Sequence, residues 1–144
     1  MNSIAKEILN KYNKANQFGD LIKMNYTMES PGKISYTIKV TPKLLATPKA
    51  MHGGAIAGFM DAVIGVAALS AVAHEGKVVS TIEYKINFLK PAVLNDHLVG
   101  EGIVINKGKR IIVAEGKISN QNKELIATAI GTLNAYPIEK SDFI

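Results

Sequence analysis

The chain has 144 residues, 47% of them apolar and 20% charged, which fits one globular domain large enough for a real core. It contains no cysteine; that excludes a disulfide framework and thiolate chemistry and suits a reducing, cytoplasmic setting. The net charge of +5 favours an anionic partner such as a nucleotide, a nucleic acid or an acidic carrier.

Met1 to Asn16 hold no continuous apolar run, so a signal peptide is not expected. Ile4, Ile8 and Tyr12 recur at i, i+4 and i+8, with Ala5, Leu9 and Ala15 beside them. This spacing predicts an amphipathic helix over residues 1–18. "LIKMNYTMES" reads as a strand, and Pro31–Gly32 as a turn. "KISYTIKV" alternates Ile34, Tyr36, Ile38 and Val40 with polar residues and reads as a second strand. "TPKLLATPKAM" holds two prolines and reads as a loop.

The next segment, "HGGAIAGFMDAVIGVAALSAVA", predicts a long helix over 53–74. From Gly53 to Ala73 the one formally charged side chain is Asp61. Such a helix spans about 30 Å, enough to cross a bilayer. A central Asp costs about 2.5 to 3.5 kcal/mol on insertion, and large apolar side chains are few. A helix wrapped by the rest of the protein fits better, and no membrane partner is expected.

The remainder reads as strand. "VVSTIEYKINFLKP" sets Ile82, Tyr84, Ile86 and Phe88 on one face and Thr81, Glu83, Lys85 and Asn87 on the other. "HLVGEGIVI" and "RIIVAEGKIS" are joined by the hairpin turn "NKGK", and "NQNK" turns into "ELIATAIGTLNAY". No repeat, linker or low-complexity tract interrupts this order. Helix, two strands, long helix and four strands predict a single α+β domain over 1–144, with one antiparallel sheet around a central helix.

The residues at the start of the long helix suggest chemistry. Free N–H groups there form an anion or oxyanion site, and glycines let a carbonyl approach the backbone. Gly53 is the candidate donor and Gly54 lies beside it, although both could serve only close packing. Asp61 could act as general base or nucleophile, or as a structural hydrogen-bond acceptor. His52 precedes the helix as a cap or as a substrate-positioning group. Gly53 and Asp61 are eight residues apart, about 12 Å along one helix. Both must lie within about 3 to 3.5 Å of one reacting carbonyl if both act on it. Two antiparallel copies meet that condition and one helix does not, so a homodimer, or a dimer of dimers, with paired sites is expected.

The element order, with "HGGAIAGFMDA" opening the long helix, resembles the hotdog fold. More narrowly, the chain resembles the acyl-CoA thioesterases of the phenylacetate-pathway type. The family pattern is His-Gly-Gly at the helix start, an acid eight residues after the first Gly, and a strand ending in Asn-Phe-Leu-x-Pro. Here these are His52-Gly53-Gly54, Asp61 and "INFLKP". The resemblance runs over roughly residues 20–135 and takes in the hairpin "NKGKRIIVAEGKI". It implies hydrolysis of an acyl or aryl thioester without metal or redox cofactor. The Gly53 N–H would polarise the carbonyl and the partner's Asp61 would activate water or attack. Thr81 matches a family Ser or Thr that holds the attacking water; read alone, it is also an ordinary strand former. It would need a bulge to reach Asp61 from the face assigned to it. The apolar residues from Ile56 to Leu69, together with strand residues, would hold the acyl group.

Asn87 and Lys90 at the strand end, and Lys107, Lys109 and Arg110 at the hairpin, are the candidate contacts to the substrate. The four cations suit the phosphates of coenzyme A and equally suit a solvated turn. No motif for nucleic-acid binding is present. One position departs from the family pattern. Ala46 stands six residues before the histidine, where many members carry an Asn or Gln that orients the thioester or the water. A non-catalytic acyl-CoA binder or sensor on the same fold is therefore the alternative. A carrier-protein dehydratase of this fold would bring a His-Phe-Pro motif, which the chain lacks.

Overall fold

The computed structural model describes residues 1–143. Two helices, α1 (Ser3–Ala15) and α2 (Gln17–Ile22), lead into strands β1 (Asn25–Ser30) and β2 (Lys33–Lys39). The long helix α3 (Gly53–Val72) follows, then β3 (Lys77–Phe88), β4 (His97–Lys107), β5 (Ile111–Ser119) and β6 (Leu125–Pro137). All six strands form one antiparallel sheet in the order β1-β2-β4-β5-β6-β3. The crossover through α3 sends β3 to the far edge, where it pairs with β6 alone.

Helix α3 lies in the curl of this sheet. Ile56, Phe59, Met60, Val63, Ile64 and Ala67 recur at three- and four-residue spacing and are buried against it. Each large apolar side chain so buried contributes about 1.5 to 3 kcal/mol. The strands give way where the helix presses closest. A Cβ on Gly102 of β4 would come within 2.5 Å of the Val63 carbonyl oxygen. Ser70 ties helix to sheet: its hydroxyl donates to the Ala67 carbonyl and accepts from the Gly32 N–H at the β1–β2 turn. From Val66 to Val72 the helix is buried on all sides, because α1 lies over its outer face there. Gly53–Glu75 is long and apolar enough to cross a bilayer, but that apolar surface is spent on the sheet and on α1.

Three local readings of the sequence need correction. The helix expected over 1–18 is two helices. Asn16 leaves helical geometry at φ −78° and ψ 74°, and its side chain accepts from Gly19 N–H at 3.0 Å, capping α2. Ile4 is exposed, and the covered face is Ala5, Ile8 and Leu9. The strand expected from Leu21 starts only at Asn25, because α2 runs to Ile22 and Lys23 ends it in the left-handed region at φ 56°. The helix expected over 53–74 is α-helical to Val72 and tightens into a 3-10 turn over Ala73–Glu75.

A fourth correction bears on function. A β-bulge between Thr81 and Glu83 adds one residue to β3. Ile82 is the extra residue and is 56% exposed. Thr81 therefore joins Tyr84 and Ile86 on the helix-facing side, not the opposite one.

Candidate active site

The start of α3 is built by three neighbours in sequence. His52 is the N-cap, with extended backbone at φ −62° and ψ 133°. Its Nδ1 accepts the Gly54 N–H at 2.7 Å, so Nδ1 is unprotonated and a neutral ring carries its proton on Nε2. The imidazole lies against Gly54, where a Cβ would come 2.9 Å from Nδ1. Gly54 is thus occupied by the cap, and its N–H is not offered to a substrate. The Gly53 N–H has no acceptor among the described residues. Both glycines are solvent-exposed, and the Phe88 ring at the end of β3 stands beside Gly53.

Two turns along, Asp61 accepts a hydrogen bond from Thr81 Oγ1 at 2.7 Å. The bulge at Ile82 makes this contact. Tyr84 fixes the same region by donating to the Ala57 carbonyl at 2.7 Å, which locks β3 onto the turn before Asp61. Asp61 is half-buried and forms no ion pair among the described residues. Its charge is felt by neighbours. Burial pushes the Tyr12 and Tyr84 phenols above their ordinary range, and the Asp61 carboxylate pushes both further the same way. Both hydroxyls stay protonated near neutral pH.

Asp61 and Thr81 open on a cavity of about 370 Å³. Only one face of α3 lines it, through Gly58, Asp61, Ala62, Gly65 and Leu69. The larger apolar residues expected to hold an acyl group, such as Ile56 and Phe59, point into the sheet instead. The opposite wall comes from Ile8 and Tyr12 of α1 and from Phe18 of α2, with Val79 and Leu133 behind. These N-terminal side chains were not legible as site residues. The stripe in α1 gives an amphipathic helix but not what the helix covers.

The remaining candidates do not converge on this cavity. Asn87 is exposed on the other face of β3 from Tyr84 and Ile86. Lys90 is tied to Glu124 at 2.7 Å. Lys107 and Lys77 both bind Glu75, which follows the end of α3. Lys107 draws the Glu75 carboxyl down to about 2, with Lys77 adding to the effect. The hairpin with Lys109 and Arg110 is therefore at the C-terminal end of α3. Within one protomer it is about 30 Å from Gly53, the length of the helix. Arg110 reaches Asn134 Oδ1 at 3.4 Å, and neither Lys109 nor Arg110 is paired with a carboxylate among the described residues. Ala46 is exposed in the loop before α3, its N–H bonded to the Ala50 carbonyl.

Comparison with known proteins agrees with this layout. Residues 49–127 match the family model of the thioesterase superfamily. A protein of Saccharolobus solfataricus, described provisionally as an esterase, is 30% identical over 127 residues, covering 88% of this chain and 89% of that protein. The PaaI protein from the phenylacetic acid degradation operon of E. coli has the same fold, with a TM-score of 0.83 at 21% identity over 92% of this chain and 93% of that one. A hypothetical thioesterase of Streptococcus pneumoniae TIGR4, solved with coenzyme A, is 25% identical with a TM-score of 0.72, covering 92% of this chain and 96% of that one.

Proposed function

The chain belongs to the thioesterase superfamily, and from that premise we propose that it hydrolyses acyl-CoA thioesters to the free acid and coenzyme A at a site shared by two copies. The contact that carries this reading is Thr81 Oγ1 to Asp61 Oδ1, 2.7 Å, on the wall of the cavity. Thr81 holds one lone pair of the carboxylate and leaves the others free for a water or a thioester. On one route the water oxygen bonds to the carbonyl carbon while Asp61 takes its proton. The C–S bond then breaks and the proton passes to the leaving thiolate. On the other route Asp61 attacks the carbonyl itself and the C–S bond breaks to release thiolate; water then hydrolyses the resulting anhydride, regenerating the Asp61 carboxylate and supplying the proton that the thiolate takes up. On both routes an oxyanion forms and needs a preorganised N–H donor.

The unengaged Gly53 N–H fits that need, but not in the same protomer. Gly53 and Asp61 lie on one continuous helix, about 12 Å apart along its axis. The free edge of β3, twelve residues long, offers unpaired backbone groups to a second copy. Two-fold pairing there extends the sheet and sets the two α3 helices antiparallel, bringing the partner's Gly53 to Asp61. Val99, Ile103 and Ile130, exposed on the outer face of the sheet, suit a further back-to-back pairing of dimers. Lys109 and Arg110 remain as the cations for the nucleotide end of coenzyme A. A cytoplasmic setting belongs to the same reading.

Ala46 supports one rival, an acyl-CoA binder without turnover. Thiol release across an acyl-CoA panel separates the two. Asp61→Asn keeps the shape and the Thr81 contact but removes the base and nucleophile. It is expected to fold, dimerise and bind acyl-CoA while kcat falls at least about 100-fold. Near-normal turnover in that variant makes Asp61 structural. Absence of turnover in the wild type over the whole panel puts the binder first.

A further inference from the structure

Gly65 is one helical turn beyond Asp61 on the same face of α3, and Leu69 is one turn beyond that. All three line the cavity. A glycine inside a helix is less stable there than an alanine. At Gly102 the close approach of helix and sheet explains the missing side chain; at Gly65 no such contact exists. A Cβ built there meets no heavy atom of the described residues within 4 Å. The space next to Gly65 is therefore cavity, not packed neighbour.

The cavity is polar at Asp61 and Thr81 and apolar past Gly65, where Leu69, Ile8, Val78 and Leu133 close it. Resting on the thioesterase reading, we propose that Gly65 is the residue that sets the length of acyl group accepted, by keeping open the passage from Asp61 to Leu69. A carbonyl at Asp61 directs its acyl chain along this passage, since coenzyme A is too large and too charged to enter it. Asp61 and Leu69 are eight residues apart, about 12 Å along the axis. The Leu69 side chain leans toward the helix start and takes part of that length. With C–C bonds of about 1.5 Å, each methylene of an extended chain advances about 1.3 Å, which leaves room for about six to eight carbons. The volume of about 370 Å³ is more than enough for such a chain, against roughly 150 Å³ for an apolar cavity that admits benzene, so the distance along the helix and not the volume sets the limit. The substrate class is a short- to medium-chain acyl thioester, and long fatty acyl chains are excluded.

The test is kcat/KM against saturated acyl-CoA esters from two to twelve carbons, for the wild type, Gly65→Ala and Gly65→Val. The wild type should rise to about six to eight carbons and fall beyond. One methylene in an apolar pocket discriminates by about 10- to 200-fold. Gly65→Val should lose at least about 10-fold on the longest good substrates yet stay within about 3-fold on acetyl-CoA. Gly65→Ala should fall between. Neither variant should unfold, since both improve helix propensity and meet no neighbour. An equal loss at every length, or no change in the cutoff, overturns the proposal while leaving the thioesterase reading in place. Loss of the dimer in Gly65→Val, seen by sedimentation, also overturns it and makes Gly65 an assembly contact. If the wild type releases no thiol at all, binding of acyl-CoA thioethers of the same lengths, read as Tm shift, decides. The same length cutoff, shortened in Gly65→Val, supports the proposal and its absence ends it.

Discussion

Thr81 and Asp61 meet from 20 residues apart in the chain, and the sequence reaches them by different routes: Asp61 from its own residue pattern, Thr81 only through the family resemblance and only on condition of a bulge. Asp61 announces itself as a lone charge in an apolar run. Thr81 is an ordinary strand residue, and strict alternation puts it on the wrong face because one inserted residue, Ile82, cancels the period. The His-Gly-Gly start divides similarly. Sequence gives two glycines and a histidine at a helix start; geometry gives them different work, with His52 capping Gly54 and Gly53 left with a free donor. That difference can be tested at a single atom. Proline is favoured at the first helical position, and His52 already has the extended backbone that a following proline requires. A Cβ on Gly53 would make an ordinary 3.8 Å contact with Phe88. Gly53→Pro should therefore keep or slightly raise Tm, through the lower entropy of the unfolded chain. It removes the N–H, so kcat should fall about 100- to 1,000-fold. Gly53→Ala, which retains the N–H, is the control for bulk and should remain far more active. Equal damage in both variants would show that crowding, not the donor, is at stake.

At the scale of elements, the strands and the long helix were legible because their apolar periods are 2 and 3.6 and the turns carry Gly, Pro or Asn. The breaks were not. Asn16 ends one helix and caps the next with the same side chain, and no period records that. Nor does any period reveal that α1 and α2 wall the cavity. The cation cluster at the β4–β5 hairpin shows a second limit. As a sequence it looks like four free positive charges, with Lys90 included. In the fold, Lys90 is spent on Glu124 and Lys107 on Glu75. The Glu75 pair fastens the end of α3 to β3 and β4, through Lys77 and Lys107. This clamp has a pH dependence with a definite sign. The folded carboxyl is lowered from 4.5 to about 2, so its contribution is present above about pH 4.5 and is lost as the pH falls toward 2. Partly exposed pairs of this kind contribute about 0.2 to 1 kcal/mol each and weaken with salt. Glu75→Gln should lower Tm modestly at neutral pH and low salt, and the gap to wild type should close on acidification across that window. A gap that persists unchanged at pH 2 would show that the charge is not its source.

For the whole molecule, composition and element order sufficed for one sheet around one helix, because that is the simplest α+β arrangement that buries a 20-residue apolar helix among so many strands. Strand order was not legible, since periodicity says nothing about neighbours. Yet strand order is what gives β3 a free edge beside Asp61, and with it the means to bring in a second copy. The proposed site is then a property of the pair: each carboxylate comes from one protomer and each helix-start donor from the other. A mixed dimer tests this directly. One chain carries Asp61→Asn and the other Gly53→Pro, each with its own affinity tag, and the doubly tagged species is purified after co-expression. Each parent homodimer has both sites damaged. In the mixed dimer one site receives both substitutions, while the other combines the intact Asp61 of one chain with the intact Gly53 of its partner. Thiol release should recover to about half the wild-type rate per dimer, because an isologous interface makes two equivalent sites. If acid and donor instead act from the same chain, every site in the mixed dimer carries one substitution. Its rate would then stay at the low level of the parents.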